Sequence, residues 1–203
     1  MQEKVLACKS VQALLDALDA KTFTCEQLLM TFVDRCIQIA HGLNLLADIN
    51  FEEALESARR CDRERQAGTH KGLLHGIPMS IKDDEMQKGL DCTLGSQQFC
   101  FDPMPEDGFI VRMLKAEGAI PFVRSNVPQG LMIPETVCSH WGRALNPISL
   151  GRTVGGSSGG EGGLVRSRCS PLGIGSDIGG SLRIPAHFCG VYTFKPSVKR
   201  HTK

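Results

Sequence analysis

The tightest constraint on this chain lies between Gly142 and Gly190, where thirteen of its 22 glycines fall. Residues 155–163 read Gly-Gly-Ser-Ser-Gly-Gly-Glu-Gly-Gly, and residues 175–185 read Gly-Ser-Asp-Ile-Gly-Gly-Ser-Leu-Arg-Ile-Pro. A glycine run can be a flexible linker. This one is interleaved with Leu164, Val165, Leu172, Ile174, Ile178 and Ile184, which linkers lack. Glycine in an apolar setting marks backbone that turns sharply or comes close to something else. Ser157 and Ser181 sit in the two tightest places, so the pattern suggests a hydrolytic site built from backbone and hydroxyls.

The rest of the composition narrows the class. At 203 residues the chain can bury a core of its own. Lys and Arg number 23 against 22 Asp and Glu, spread along the chain, and no basic patch carries interleaved aromatics. That argues against nucleic acid as a partner. The tail Lys195–Lys203 reads as a short solvated end. Met1–Ser10 is polar without a signal-peptide core, and no apolar run is long enough to span a bilayer. Nine cysteines, with no Cys-x-x-Cys and none grouped with histidine, read as small core residues of a reduced compartment. The expected location is intracellular, cytoplasmic or peripheral to an internal membrane. No zinc or other metal site is expected.

Read in order, the chain alternates helix and strand. Ser10 caps a helix through Leu14, Leu15 and Leu18, and Thr24 with Gln27 forms a capping box for a second, stopped near Gly42. A short strand is expected at Leu45–Ile49, then a helix from an Asn50/Glu53 capping box to about Gln66. Leu73–Ile81 reads as a buried strand leading to Lys82. Two readings of Lys82 stay open: a snorkelling or surface residue, or a buried neutral base. Asp83, Asp84 and Glu85 read as a solvated loop rather than a metal or acid pair. A helix at Phe109–Gly118 precedes a buried strand at Ala119–Val123, an order that suggests a layered α/β fold with some parallel pairing. A helix at about Gly159–Arg168, a strand at Leu172–Gly175 and a further strand at Gly190–Lys195 complete the expectation. No internal repeat or domain boundary is evident.

Three chemistries compete for the serines. Gly155-x-Ser157-x-Gly159 and Gly156-x-Ser158-x-Gly160 both fit a nucleophile elbow, whose base would have to be His187 or His201. Amides of Gly155–Gly160 leading into a helix could cradle a phosphate, although no Gly-Lys-Ser/Thr end or Gly-x-Gly-x-x-Gly is present. The third combines Lys82 with Ser157 and Ser181.

That third constellation resembles the amidase signature family. The family pattern is a Gly-Gly-Ser-Ser-Gly-Gly loop followed by Gly-x-Asp-x-Gly-Gly-Ser-x-Arg-x-Pro, here Gly155–Gly160 and Gly175–Pro185. Gly72–Lys82, Cys92–Gly95, Leu114–Val123 and Asn126–Gln129 extend the likeness, which is strong over about 70–197 and loose over 10–70. Within the family it is similar to the fatty acid amide hydrolases. The resemblance implies Ser181 as the nucleophile that forms an acyl-enzyme, Ser157 as the bridge and Lys82 as the base, neutral when it acts. It implies an oxyanion hole from the N–H groups of Ile178, Gly179, Gly180 and Ser181. Ser158 would support the loop, Asp177 and Arg183 would brace the turn, and Leu131 and Met132 would lie near the substrate. The expected fold is α/β, a mixed central sheet flanked by helices, incomplete at the C-terminus.

The residues depart from the pattern at Val154, where a proline often stands, and at Asp83-Asp84 after the lysine. Family members are much longer than 203 residues. The chain therefore reads as one partial domain, a helical segment at about 1–70 and a catalytic core portion at about 71–203. The implied substrate is a small lipid amide, a long-chain fatty acid amide, cleaved without metal or cofactor. A full-length form would associate with a membrane surface, and a homodimer is a further expectation. The contrasting expectation is a catalytically inactive fragment that at most binds or interacts.

Overall fold

A computed structural model describes residues 1–198 and 200, so His201 and the end of the basic tail lie outside the described residues. Short-range capping sets the first helices. Helix α1 (Gln2–Ala7) forms in the polar start that suggested no element, and Val5 is its buried anchor. Helix α2 (Val11–Asp19) begins where Ser10 Oγ accepts from the Ala13 N–H at 3.1 Å. Helix α3 (Cys25–Arg35) opens on the reciprocal Thr24–Gln27 box and runs into a π turn at Cys36–Ala40. Strand β1 (Leu46–Ile49) and helix α4 (Phe51–Gln66) follow. The Asn50/Glu53 box does not form. The Asn50 N–H donates to Phe122 O at 2.9 Å and its side-chain amide to Glu53 Oε2 at 2.7 Å. A long-range backbone bond has displaced the local one.

The second part builds the sheet: strand β2 (Pro78–Lys82), helix α5 (Phe109–Ala116), strand β3 (Ile120–Ser125), the hairpin strands β4 (Val137–Cys138) and β5 (Gly142–Arg143), helix α6 (Gly159–Arg166), strand β6 (Gly173–Ile174) and helix α7 (Arg183–Cys189). The order β1-β3-β2-β6 is mixed: β1 is antiparallel to β3, while β2 runs parallel to both β3 and β6. Pleated pairing starts at Pro78 rather than Leu73, because Leu74 and Gly76 give their N–H groups to Glu117 O and Gly118 O beyond α5. The strand expected at 190–195 is absent from the described residues, and a helix precedes it. Pro185 lies in the first turn of α7, where its missing N–H costs nothing, and Gly190 ends the helix with φ of 63°.

One continuous core joins the two halves. Leu28, Leu29, Phe32 and Ala58 pack in the same buried cluster as Ile77, Met79, Phe122 and Leu164. No helix among the described residues is long and apolar enough to cross a membrane. The parallel strands β2, β3 and β6 end on the same side, so Lys82, Ser125 and the turn after Ile174 converge there. In open α/β sheets this carboxyl edge is where ligands bind.

Candidate active site

Lys82 ends β2 and is fully buried, which removes the snorkelling reading. Its Nζ donates to Ser157 Oγ at 2.9 Å and to Ser176 Oγ at 2.6 Å, and Asp84 Oδ2 lies 3.0 Å away. Ser176 also donates to Asp84 Oδ2. Ser176 did not stand out in the sequence, and Asp84 was read there as part of a solvated loop. Asp84 is two residues past the lysine and Ser176 one before Asp177, so proximity to the motif was the only available signal.

The glycines explain how Ser157 reaches the lysine. A Cβ at Gly156 would stand 2.7 Å from the carbonyls of Ile133 and Glu135, and one at Gly160 2.5 Å from Asn126 N. Only bare backbone fits so close to both. The Gly156–Ser157 peptide is cis. Three of the loop amides are engaged within the protein: Gly155 N–H donates to Thr153 Oγ1 at 2.9 Å, Ser158 N–H to Ser181 O at 2.9 Å and Gly160 N–H to Asn126 O at 3.1 Å. A phosphate cradle over Gly155–Gly160 would have to do without those three donors. His187 is exposed on α7, its ring centroid 6.0 Å from that of Phe188, and no hydrogen bond joins it to Ser157 or Ser158 among the described residues. The nucleophile-elbow reading loses His187 as its base, and its other candidate, His201, lies outside the described residues.

Ser181 sits in a turn organised by Asp177. That carboxylate accepts from Gly180 N at 2.8 Å, Leu182 N at 3.2 Å and Arg183 N at 3.1 Å, and pairs with Arg183 Nε at 2.9 Å and Nη2 at 3.0 Å. The Arg183 hydrogen bonds, with the three amides, hold the Asp177 carboxyl well below the usual carboxylate range. The Gly180 N–H expected in the oxyanion hole is therefore committed to Asp177. Ile178 and Gly179 are exposed at the tip, and Ser181 is half-buried. The two serine turns touch through the Ser158 N–H to Ser181 O bond, and no hydrogen bond joins the Ser157 and Ser181 side chains among the described residues. Ser158 Oγ donates to Ser176 O at 3.2 Å, tying the glycine loop to the second turn. The segment holding Leu131 and Met132 passes beside Gly156, but Met132 is 83% exposed.

Two further buried acids support the site. Glu161, four residues after Ser157 in α6, accepts from Ser80 Oγ at 2.6 Å. Ser80 and Lys82 share a face of β2, so Glu161 lies beside the lysine layer. Burial pushes its carboxyl up to about 7, against the opposing pull of Ser80. Asp83 is also buried, so the acidic run is no solvated loop. Arg124 reaches Asp83 Oδ1 with Nε at 3.1 Å and Nη2 at 2.9 Å, and Thr93 Oγ1 donates to Oδ2. Burial still raises the Asp83 carboxyl, with Arg124 opposing. Away from the site, Cys61, Glu64 and His75 bring potential metal-ligand atoms within 4.8 Å of one another. Glu64 is already engaged by His75 Nε2 at 2.7 Å and Arg60 Nε at 3.8 Å, so the group reads as a polar network. All nine cysteines are free.

Comparison with known proteins finds relatives along most of the chain. The family model described as Amidase matches residues 27–203. Amidase 1 of Gibberella moniliformis is 41% identical over 97% of this chain and 38% of its own length. Fatty-acid amide hydrolase 1 of Sus scrofa is 35% identical over 88% of this chain and 29% of its own. A solved fatty acid amide hydrolase superposes with a TM-score of 0.85 at 31% identity, covering 90% of this chain and 33% of that one. The chain thus spans less than half the length of these relatives.

Proposed function

The chain belongs to the amidase family, and from that premise we propose that it cleaves carboxylic amides through Lys82, Ser157 and Ser181. The observation that carries the reading is the buried 2.9 Å contact between Lys82 Nζ and Ser157 Oγ, one residue from the backbone bond that holds the Ser181 turn. A lysine that has shed its proton takes the Ser157 hydroxyl proton, and Ser157 takes that of Ser181. Ser181 Oγ then attacks the amide carbon and forms an acyl-enzyme. The relay returns the proton to the departing nitrogen, which is a poor leaving group without it. Free amides in the 178–181 turn receive the developing oxyanion.

The acyl group is assigned to the long-chain fatty class. The likeness to the Sus scrofa and solved fatty acid amide hydrolases supports it. A second reading, binding without turnover, draws on one feature: Ile178 is 97% exposed and Gly180 N–H is occupied, so the oxyanion turn is open to solvent.

A fluorophosphonate reacting with the purified chain separates the two. Intact mass should show one adduct that vanishes in Ser181→Ala. Lys82→Ala should slow labelling roughly 100-fold or more, the usual scale for a lost general base, while His187→Ala should leave it unchanged. A long-chain primary amide should protect Ser181 better than acetamide. Unlabelled wild-type protein would favour binding without turnover, and equal protection would remove the fatty acyl assignment.

A further inference from the structure

Lys82 Nζ has three acceptors around it, Ser157 Oγ, Ser176 Oγ and Asp84 Oδ2. Three acceptors use all three protons of an ammonium and leave no lone pair for Ser157. A base at this position must first lose a proton, and the buried pocket gives it few places to go. Asp84 is within reach, directly and through Ser176. Its other oxygen, Oδ1, is buried without a hydrogen-bond partner.

We propose that Asp84 is the proton acceptor that frees Lys82, a positioning residue acting through the lysine; the inference rests on the amidase reading above. In the step, an Nζ–H bond breaks and an Oδ2–H bond forms, either directly or by relay through the Ser176 hydroxyl. An ammonium and a carboxylate become an amine and a carboxylic acid, with no net change of charge in the pocket. The lone pair released on Nζ then takes the Ser157 proton. Neutralising the pair internally avoids moving a charge out through a low-dielectric site, where separated charges are costly.

The surroundings leave Asp84 as the available acceptor. Asp83, its neighbour, is closed by Arg124 of β3 and by Thr93. Asp177 is closed by Arg183 and three amides. Glu161 of α6, the other buried acid among the described residues, is bonded to Ser80 and forms no ion pair with Lys82 Nζ, which pairs with Asp84; the Asp84 charge raises the Glu161 carboxyl while Lys82 lowers it. The Cys92 thiol also feels Asp84, and its own burial pushes it up to about 11.

The test is the rate of Ser181 labelling by a fluorophosphonate across pH, in wild type, Asp84→Asn and Asp84→Glu. Asp84→Asn keeps the shape but cannot take the proton. Its labelling should fall on the order of 100-fold at neutral pH and recover at alkaline pH, where hydroxide strips the lysine instead. Asp84→Glu, which keeps a carboxylate, should retain more neutral-pH labelling than Asp84→Asn. Circular dichroism melts confirm that each variant folds. If Asp84→Asn labels at the wild-type rate at neutral pH, or falls equally at every pH, the proposal is overturned. If wild type itself fails to label, the amidase reading fails first and takes the proposal with it.

Discussion

Glu161 shows how one buried side chain ties the site to stability. It is buried and accepts a hydrogen bond from Ser80, and the Ser125 hydroxyl also acts on it, lowering its carboxyl against the larger effect of burial. Its carboxyl moves from an ordinary 4.5 to about 7 on folding. The native state therefore holds its proton over a range in which the unfolded chain has lost it. The stabilisation from this group is complete below about 4.5 and is lost as pH rises through about 7. Glu161→Gln mimics the protonated form at every pH. Urea denaturation should show the variant more stable than wild type at pH 8, by on the order of 1–3 kcal/mol, and the gap should close near pH 4.5. An unchanged gap across that range would mean the carboxyl does not titrate there. In the sequence Glu161 was hidden: it read as one interruption of a glycine run, and nothing local reveals that it packs against a strand 81 residues away.

Helix α6 depends on its glycines for contact rather than flexibility. At Gly160 a Cβ would meet Asn126 N at 2.5 Å, Asn126 O at 2.6 Å and Leu45 O at 2.8 Å. These are backbone atoms of the segments flanking β1 and β3 and cannot swing aside. Gly160→Ala should push α6 and the Ser157 loop off the sheet, costing roughly 1–3 kcal/mol and slowing Ser181 labelling. Gly151→Ala is the control, since nothing lies within 4 Å of its Cβ position, and its thermal melt should stay close to wild type. What the sequence revealed about elements follows the same division between near and far. Ser10 and the Thr24–Gln27 box were legible because each cap closes over three residues. The Asn50 box failed because β3 claimed the N–H that it needed. Lys82, Ser157 and Ser181 were legible through a long motif. The Asp84–Ser176 contact was not, because the two meet only when β2 and the turn after β6 are brought together across 92 residues. Asp83 was misread as solvated because its partner Arg124 lies 41 residues on.

The whole chain is stitched together at the end of α6. Arg35, in the last turn of α3, donates from Nε to Arg168 O at 2.6 Å and from Nη2 to Ser167 O at 2.6 Å. Arg168 returns a bond from Nη2 to Cys8 O at 2.9 Å. These cross-links join the helical first part to the part that carries the serines, over a shared apolar core. Two signals read the two parts separately. Far-ultraviolet circular dichroism is weighted to α2, α3 and α4, whereas the single tryptophan, Trp141, sits between β4 and β5 beside His140. One core predicts that both signals lose structure at the same denaturant concentration. Arg35→Met removes two charge-assisted bonds and should lower both midpoints together, by about 2–4 kcal/mol of stability. If the tryptophan signal moved while the helical signal held, the two parts would be separate folding units. The serine turns would then rest on β2, β3 and α6 without help from the first 70 residues.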